Sequence, residues 1–180
     1  MIPAIPTSLD AAFWLVERGG AEGLSLDPNR LEALLYLAQR HFAAANDGAR
    51  LMPAVFVANA EGPSEPNVRA VLASGLQQPW RPRIEGRAAS FLKEFWRRIG
   101  RLPAPAIKGL IANDEAWIRA VEKAPGSEIM PLTKSNKPQK KLEHQPIIAS
   151  KSEIPLFTGD GRSVRKWRPV RRLPGPGEPA

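Results

Sequence analysis

Residues 27–48 read DPNRLEALLYLAQRHFAAANDG and carry the clearest helix pattern of the chain. Asp27 is a good N-cap residue, and Pro28 suits the first helical position because it has no N–H to leave unpaired. Apolar residues then recur at helical spacing until Gly48 follows the end of the pattern. The pattern predicts a helix whose buried face is formed by Leu31, Leu34, Leu35, Ala38 and Phe42.

A shorter helix is predicted ahead of it, near the N-terminus. Thr7 or Ser8 can cap this helix, because both side chains offer an oxygen to the free N–H groups of a first turn. Gly19-Gly20 is expected to end it. The apolar face predicted for this helix consists of Leu9, Ala12, Phe13 and Val16.

The segment after the long helix alternates between apolar and turn-forming residues. Residues 51–59 are short and apolar, so they fit a buried strand or an extended segment, and periodicity does not decide between the two. The Glu-Gly-Pro sequence at residues 61–63 indicates a turn. Ser64 is then expected to cap a short helix over residues 65–73.

Three further helices are predicted before residue 130. The first spans residues 86–99 and ends at Gly100, the second begins near Pro105, and the third is capped by Asn113 with two acidic residues in its first turn. The residues expected to point inward are Ala88, Phe91, Leu92, Phe95, Trp96 and Ile99 in the first of these helices, and Trp117, Ala120 and Val121 in the last.

The charge of the chain is unevenly distributed. Residues 1–130 hold 15 Lys+Arg and 14 Asp+Glu, whereas residues 131–180 hold 11 and 4. The latter segment also contains eight of the 19 prolines and no apolar periodicity, so it cannot bury enough apolar surface to offset the entropy of ordering. We therefore predict a mainly α fold, with a compact helical domain over 1–130, at most one short strand in it, and an extended, basic, Pro/Gly-rich tail over 131–180.

The sequence gives little support to an enzyme. The absence of cysteine excludes disulfides, a thiolate nucleophile and cysteine metal sites. Phosphate-binding, zinc-protease and calcium-loop motifs are missing, and His41 fits a capping or half-buried role better than catalysis. Glu61 and Glu65 are interpreted as the solvated start of a helix rather than an acid–base pair. With no signal peptide and no membrane-spanning stretch, we expect a cytoplasmic protein without catalytic residues, cofactor, metal or membrane partner.

A basic cluster in the tail is the strongest binding pattern. Arginines neutralise phosphates and an indole can stack on a base, so the cluster fits nucleic acid. It also fits an acidic protein surface with Trp167 and Arg168 as anchors, and a third reading is a solvated tail without a fixed partner. The cluster consists of Arg162, Arg165, Lys166, Trp167, Arg168, Arg171 and Arg172.

Several short motifs follow one another in a fixed order along residues 8–130. They are Leu9, Ala12 and Leu15; Leu31 with the run Leu34-Leu35-Tyr36-Leu37-Ala38-Gln39; Gly48 and Leu51 ahead of Phe56 and Ala58; Glu61-Gly62-Pro63; and Trp117 with Ala120. This order resembles the Panacea domain, which occurs in SocA-like and GepA-like phage-associated proteins and in many antitoxins. The chain departs from that pattern at Arg30, Glu32 and Ala33, at Ser64 in place of a valine, and at residues 111–113 in place of a frequent histidine.

The resemblance implies a helical domain that acts by protein binding, without a cofactor or a catalytic site. It implies that the partner is a protein toxin encoded in an adjacent gene, which the chain neutralises directly or as an adaptor, with a protease or chaperone as a further partner. The tail is then the expected specificity element. The alternative is a nucleic-acid-binding accessory protein that acts through the tail. The resemblance implies structural or partner-facing roles for Leu34, Leu35, Tyr36, Gln39, Glu61, Gly62, Pro63 and Trp117.

Overall fold

The computed structural model describes residues 2–74 and 82–131, together with the backbone of residues 156–157 and 163–164. The described part is mainly α-helical, which confirms the predicted fold class. Its helices are α1 (Ser8–Ala21), α2 (Pro28–Ala45), α3 (Pro66–Ala73), α4 (Gly86–Phe95), which continues into a π-helical segment (Trp96–Gly100), α5 (Ala104–Ala112) and α6 (Glu115–Lys123). Within these residues, no helix is long and apolar enough to cross a membrane.

The chain divides into two units, Met1–Leu142 and Glu143–Ala180. The first contains the six helices and an antiparallel pair of short strands, β1 (Val57–Asn59) and β2 (Gly62–Ser64). In the second, β3 (Leu156–Phe157) pairs antiparallel with β4 (Ser163–Val164). The boundary at residue 130 that we inferred from composition stays a prediction.

Helix α2 lies at the centre of the first unit. The Asp27 side chain accepts a hydrogen bond from the Arg30 N–H at 3.0 Å, and Pro28 opens the first turn, as predicted. Every residue from Leu31 to Arg40 is buried, because α1, α3, α4, α5 and β2 all pack around this helix. All five predicted core residues of α2 are buried.

Helix α1 confirms the predicted cap but corrects the predicted face. Thr7 accepts the Asp10 N–H at 3.1 Å. Val16 is 41% exposed, whereas Leu15 is fully buried, so the buried stripe is rotated by one position. Gly19 does not end the helix, which continues to Ala21. Its role is spatial, since a Cβ there would lie 2.9 Å from the Leu24 carbonyl oxygen.

The predicted turn at residues 61–63 is partly a strand. Residues 62–64 form β2 and pair with β1 in the register Val57↔Ser64, Ala58↔Pro63 and Asn59↔Gly62. Gly62 has φ +142°, a conformation that side-chain-bearing residues rarely adopt, so glycine is required where the chain enters β2. The apolar segment before the turn therefore ends in one strand of a hairpin.

The prediction that Ser64 caps helix α3 is wrong. Glu65 is the N-cap, and its carboxylate accepts the Val68 N–H at 2.8 Å. Ser64 belongs to β2, and its hydroxyl donates instead to Glu32 of helix α2 at 2.7 Å. The preference of serine for N-cap positions predicts a local bond for this hydroxyl, but it binds a residue 32 positions away in the sequence.

Helix α4 has the predicted apolar face, of which only Phe91 is not fully buried. The helix widens into the π-helical segment at Trp96, whose side chain is buried. A Cβ on Gly100 would lie 2.3 Å from the Trp96 ring, so glycine is needed here for space.

The last helix begins one residue later than predicted. Asp114, not Asn113, caps α6, and its Oδ1 accepts the N–H groups of Ala116 and Trp117 at 2.8 and 3.3 Å. The amide of Asn113 instead donates to a carbonyl at the end of α5. Ala120 is buried and Trp117 half-buried as expected, but Val121 is 47% exposed because it lies beyond the edge of the buried stripe.

Candidate partner-binding groove

A shallow groove lies between helix α2 and two extended segments. Tyr36, Gln39 and Arg40 form its floor, and its two walls come from residues 50–56 and from residues 128–131. Its volume is about 30 Å³, whereas pockets for drug-sized ligands have roughly 300–1,000 Å³. The groove can therefore receive the tip of one side chain rather than a whole metabolite.

The two walls are tied to the floor and to each other. Gln39 Oε1 accepts the N–H groups of Leu51 and Met52 at 3.1 and 3.0 Å, which fixes the first wall to α2. The Ile129 N–H donates to the Phe56 carbonyl at 2.7 Å and joins the two walls. The Phe56 ring also packs edge-on against Tyr36, with 5.4 Å between ring centroids. The residues that line the groove are thus held in place by hydrogen bonds and ring packing.

Arg40 of the floor takes part in a buried ion pair. Arg40 Nε and Nη2 donate to the two carboxylate oxygens of Asp114 at 2.7 and 3.0 Å. Both side chains are less than a tenth exposed, and the same carboxylate caps α6, so the pair connects the centre of the domain to its last helix. Breaking such a pair strands a charge in the interior.

The Tyr36 hydroxyl is buried next to this pair and makes no hydrogen bond of normal geometry within ranges 2–74 and 82–131. Burial raises the pKa of Tyr36 well above its ordinary value, and the nearby negative charge of Asp114 raises it further. The Asp114 carboxylate is the potential acceptor for this hydroxyl, although its oxygens already accept from Arg40 and from the first turn of α6.

The rim of the groove is apolar on both sides. Val55 is 50% exposed on one wall and Met130 is 61% exposed on the other. Arg50 is exposed beside Val55 and makes no ion pair within the described ranges. Large apolar side chains that face each other across a depression are the kind of surface that a partner protein covers.

A second polar cluster lies where β2 meets helix α3, and it was not predicted from the sequence. The fully buried Glu32 carboxylate accepts from the Ser64 hydroxyl, from the Glu65 N–H at 3.0 Å and from Arg69 Nη2 at 2.5 Å. Its carboxylate raises the pKa of Arg69. The one available signal was a lone acidic residue within the apolar run of α2.

Glu61 and Glu65 do not form a pair. Glu65 is fully buried, and its carboxylate accepts from Ser8 Oγ at 3.1 Å and from the amide of Asn67 at 3.0 Å in addition to its capping bond. Glu61 is exposed in the hairpin turn, where it accepts from the Asn29 amide at 2.8 Å. The interpretation of both residues as a solvated helix start is therefore wrong for Glu65, whose carboxylate is buried. Glu61 is exposed, but it lies in the hairpin turn rather than in a helix.

The motif residues named from the sequence fall into separate places. Leu34 and Leu35 lie in the core, Tyr36 and Gln39 form part of the groove floor, and Glu61, Gly62 and Pro63 belong to the hairpin. Trp117 is half-buried on α6. The tail cluster lies outside the described residues: Arg162, Arg165, Lys166, Trp167, Arg168, Arg171 and Arg172.

His41 and the acidic residues form no metal site in the described ranges 2–74 and 82–131, where no three potential ligands cluster. His41 is half-buried, with its ring 6.2 Å from that of Phe95. No family model, curated protein or solved structure matches the chain. The assignment of the groove therefore rests on its own geometry.

Proposed function

We propose that the chain is a non-catalytic, antitoxin-like protein that binds and neutralises a co-encoded protein toxin. The observation that carries this proposal is the groove, whose rim exposes Val55 and Met130 beside the exposed Arg50. Partly exposed apolar side chains next to an arginine are typical of the centre of a protein interface. Neutralisation proceeds by direct binding or by delivery of the toxin to a protease or chaperone in the cytoplasm.

The resemblance to the Panacea domain supports the same proposal from a different direction. Two residues of the most recognisable motif, Tyr36 and Gln39, form part of the groove floor. The motif thus includes both core positions and positions next to the groove. In this proposal the tail around Trp167 adds a second contact and provides specificity.

Co-expression with the product of the adjacent open reading frame tests the proposal. The wild-type chain should restore growth to cells in which that product is toxic. Val55→Lys should abolish rescue because it places a charge in the contact, and Val121→Lys is a matched control on α6 with 47% exposure at the wild-type residue. Absence of rescue by the wild-type chain, or equal rescue by both variants, would contradict the proposal.

The alternative is an accessory protein that binds nucleic acid through the tail. The observation in its favour is the density of cations around Trp167 in the sequence. In that case the logarithm of affinity for duplex DNA should fall with the logarithm of salt concentration, with a slope of about 0.9 per neutralised phosphate. Tight, sequence-selective binding without any effect on a neighbouring toxin would replace the antitoxin proposal by this one.

A further inference from the structure

The groove offers hydrogen-bond donors that the described residues do not use. Gln39 uses only its carbonyl oxygen, so its amide N–H groups have no partner among the described residues. Arg40 uses Nε and Nη2 for Asp114 and leaves Nη1 unpaired there. The guanidinium of the exposed Arg50 also makes no ion pair in the described part of the chain. Three lining residues therefore offer donors, and Arg50 is the most accessible of them.

We infer that this groove binds an extended segment of the partner protein, in which a carboxylate side chain stands next to an aliphatic residue. The inference rests on the proposed function and specifies the chemistry of the contact. A carboxylate presents about four acceptor positions and accepts from arginine with good geometry. The aliphatic residue would lie between Val55 and Met130, where a volume of about 30 Å³ admits the end of one side chain.

The charges around the groove favour a carboxylate beside Arg50 and disfavour one beside Glu128. Asp114 compensates Arg40, whereas Arg50 has no counter-ion in the described ranges. The remaining charge of the lining is Glu128, which is exposed on the opposite wall and makes no ion pair with Arg50. An incoming carboxylate is therefore expected on the Arg50 side, and Glu128 should weaken its binding.

Nuclear magnetic resonance of the full chain with short peptides tests this inference. The probes are acetyl-Leu-Glu-Leu-amide and its neutral analogue acetyl-Leu-Gln-Leu-amide. The acidic peptide should shift the backbone resonances of residues 50–56 and 128–131 and bind about fivefold more tightly than the neutral peptide, as expected for a partly exposed charge-assisted hydrogen bond. Glu128→Gln should tighten binding of the acidic peptide.

One variant connects the binding to a named donor. Arg50→Ala should weaken binding of the acidic peptide about fivefold, while Arg119→Ala on α6 serves as a matched control without effect. Both arginines are exposed, so neither substitution should change the melting temperature much.

Equal affinity for the two peptides, or resonance shifts outside the groove, would overturn the inference. So would unchanged binding of the acidic peptide by Arg50→Ala. These results are distinct from failure of the proposed function, which is measured by rescue from the toxin. If the chain neutralises the toxin but does not bind the acidic peptide, the proposed function stands and the inferred chemistry of the groove is wrong.

Discussion

Removal of the Glu32 carboxylate should destabilise the domain more than any surface substitution. In Glu32→Ala, the Ser64 hydroxyl and the Glu65 N–H lose their acceptor in the interior, and Arg69 loses its counter-ion. A buried donor left without an acceptor costs about 1–3 kcal/mol, so the two donors together cost about 2–6 kcal/mol. Because small domains have a free energy of unfolding of roughly 5–15 kcal/mol, we expect the variant to remain folded with much reduced stability.

Removal of the cation should have a smaller effect than removal of the carboxylate. The Arg69 side chain is 44% exposed, so its removal should admit water to the Glu32 carboxylate, which also keeps its two other donors. Asp114, by contrast, would lose an Arg40 side chain that is only 8% exposed. We therefore expect a loss of about 1–3 kcal/mol for Arg69→Ala. The double variant should lose less than the sum of the two single variants, by about 1–2 kcal/mol, because the residues interact directly.

Urea unfolding followed by circular dichroism at pH 7 measures these differences. Glu94→Ala is the matched control, since Glu94 also binds arginines, Arg97 and Arg98, but on the surface, and its removal should change the midpoint little. A Glu32→Ala variant that unfolds at the same urea concentration as the wild type would refute the assignment of Glu32 to a buried network. Additive losses for Glu32 and Arg69 would refute their direct interaction.

Three further predictions concern other parts of the domain. Arg40→Ala should lower the free energy of unfolding by about 3–5 kcal/mol in urea unfolding, because it leaves Asp114 buried without its cation, and a loss below that of Arg69→Ala would contradict this. Gly62→Ala should destabilise by about 1–3 kcal/mol because of the positive φ, whereas Gly109→Ala in α5 should not, and equal melting temperatures would disprove the strain. The pKa of Glu22 is lowered from 4.5 to about 2, chiefly by its hydrogen bond from Arg101. The contribution of the ionised carboxylate to stability is therefore complete above pH 4.5 and is lost as the pH falls towards 2. Wild type and Glu22→Gln should differ in melting temperature at about pH 6 and have the same melting temperature near pH 2.

The sequence predicted the parts of the fold that depend on local rules. The cap at Asp27, the apolar period of α2 and the face of α4 were all predictable, because helical spacing places these residues on one side irrespective of the rest of the chain. The ends of the elements were less predictable. Ser64 fits a cap by type, but its hydroxyl binds a residue of another helix, which local spacing does not reveal.

The groove was beyond prediction from sequence, even though Tyr36 and Gln39 of its floor lie in the clearest helical pattern of the chain. Its floor comes from α2 and its walls from segments that lie about 15 and 90 residues further along the chain. Val55 and Met130 stand in apolar surroundings in the sequence, and only the packing of the two walls exposes them. The exposure of these two side chains depends on the tertiary structure, whereas sequence periodicity depends only on residues a few positions away in the chain.

The central claim is that the domain binds a partner protein through the groove. Isothermal titration calorimetry of the full chain with the purified product of the adjacent open reading frame tests it most directly, with Val55→Lys compared with Val121→Lys. We predict that Val55→Lys weakens binding at least tenfold, the equivalent of about 1.4 kcal/mol, and that Val121→Lys binds like the wild type. Unchanged affinity for Val55→Lys, or an equal loss for both variants, would contradict the claim.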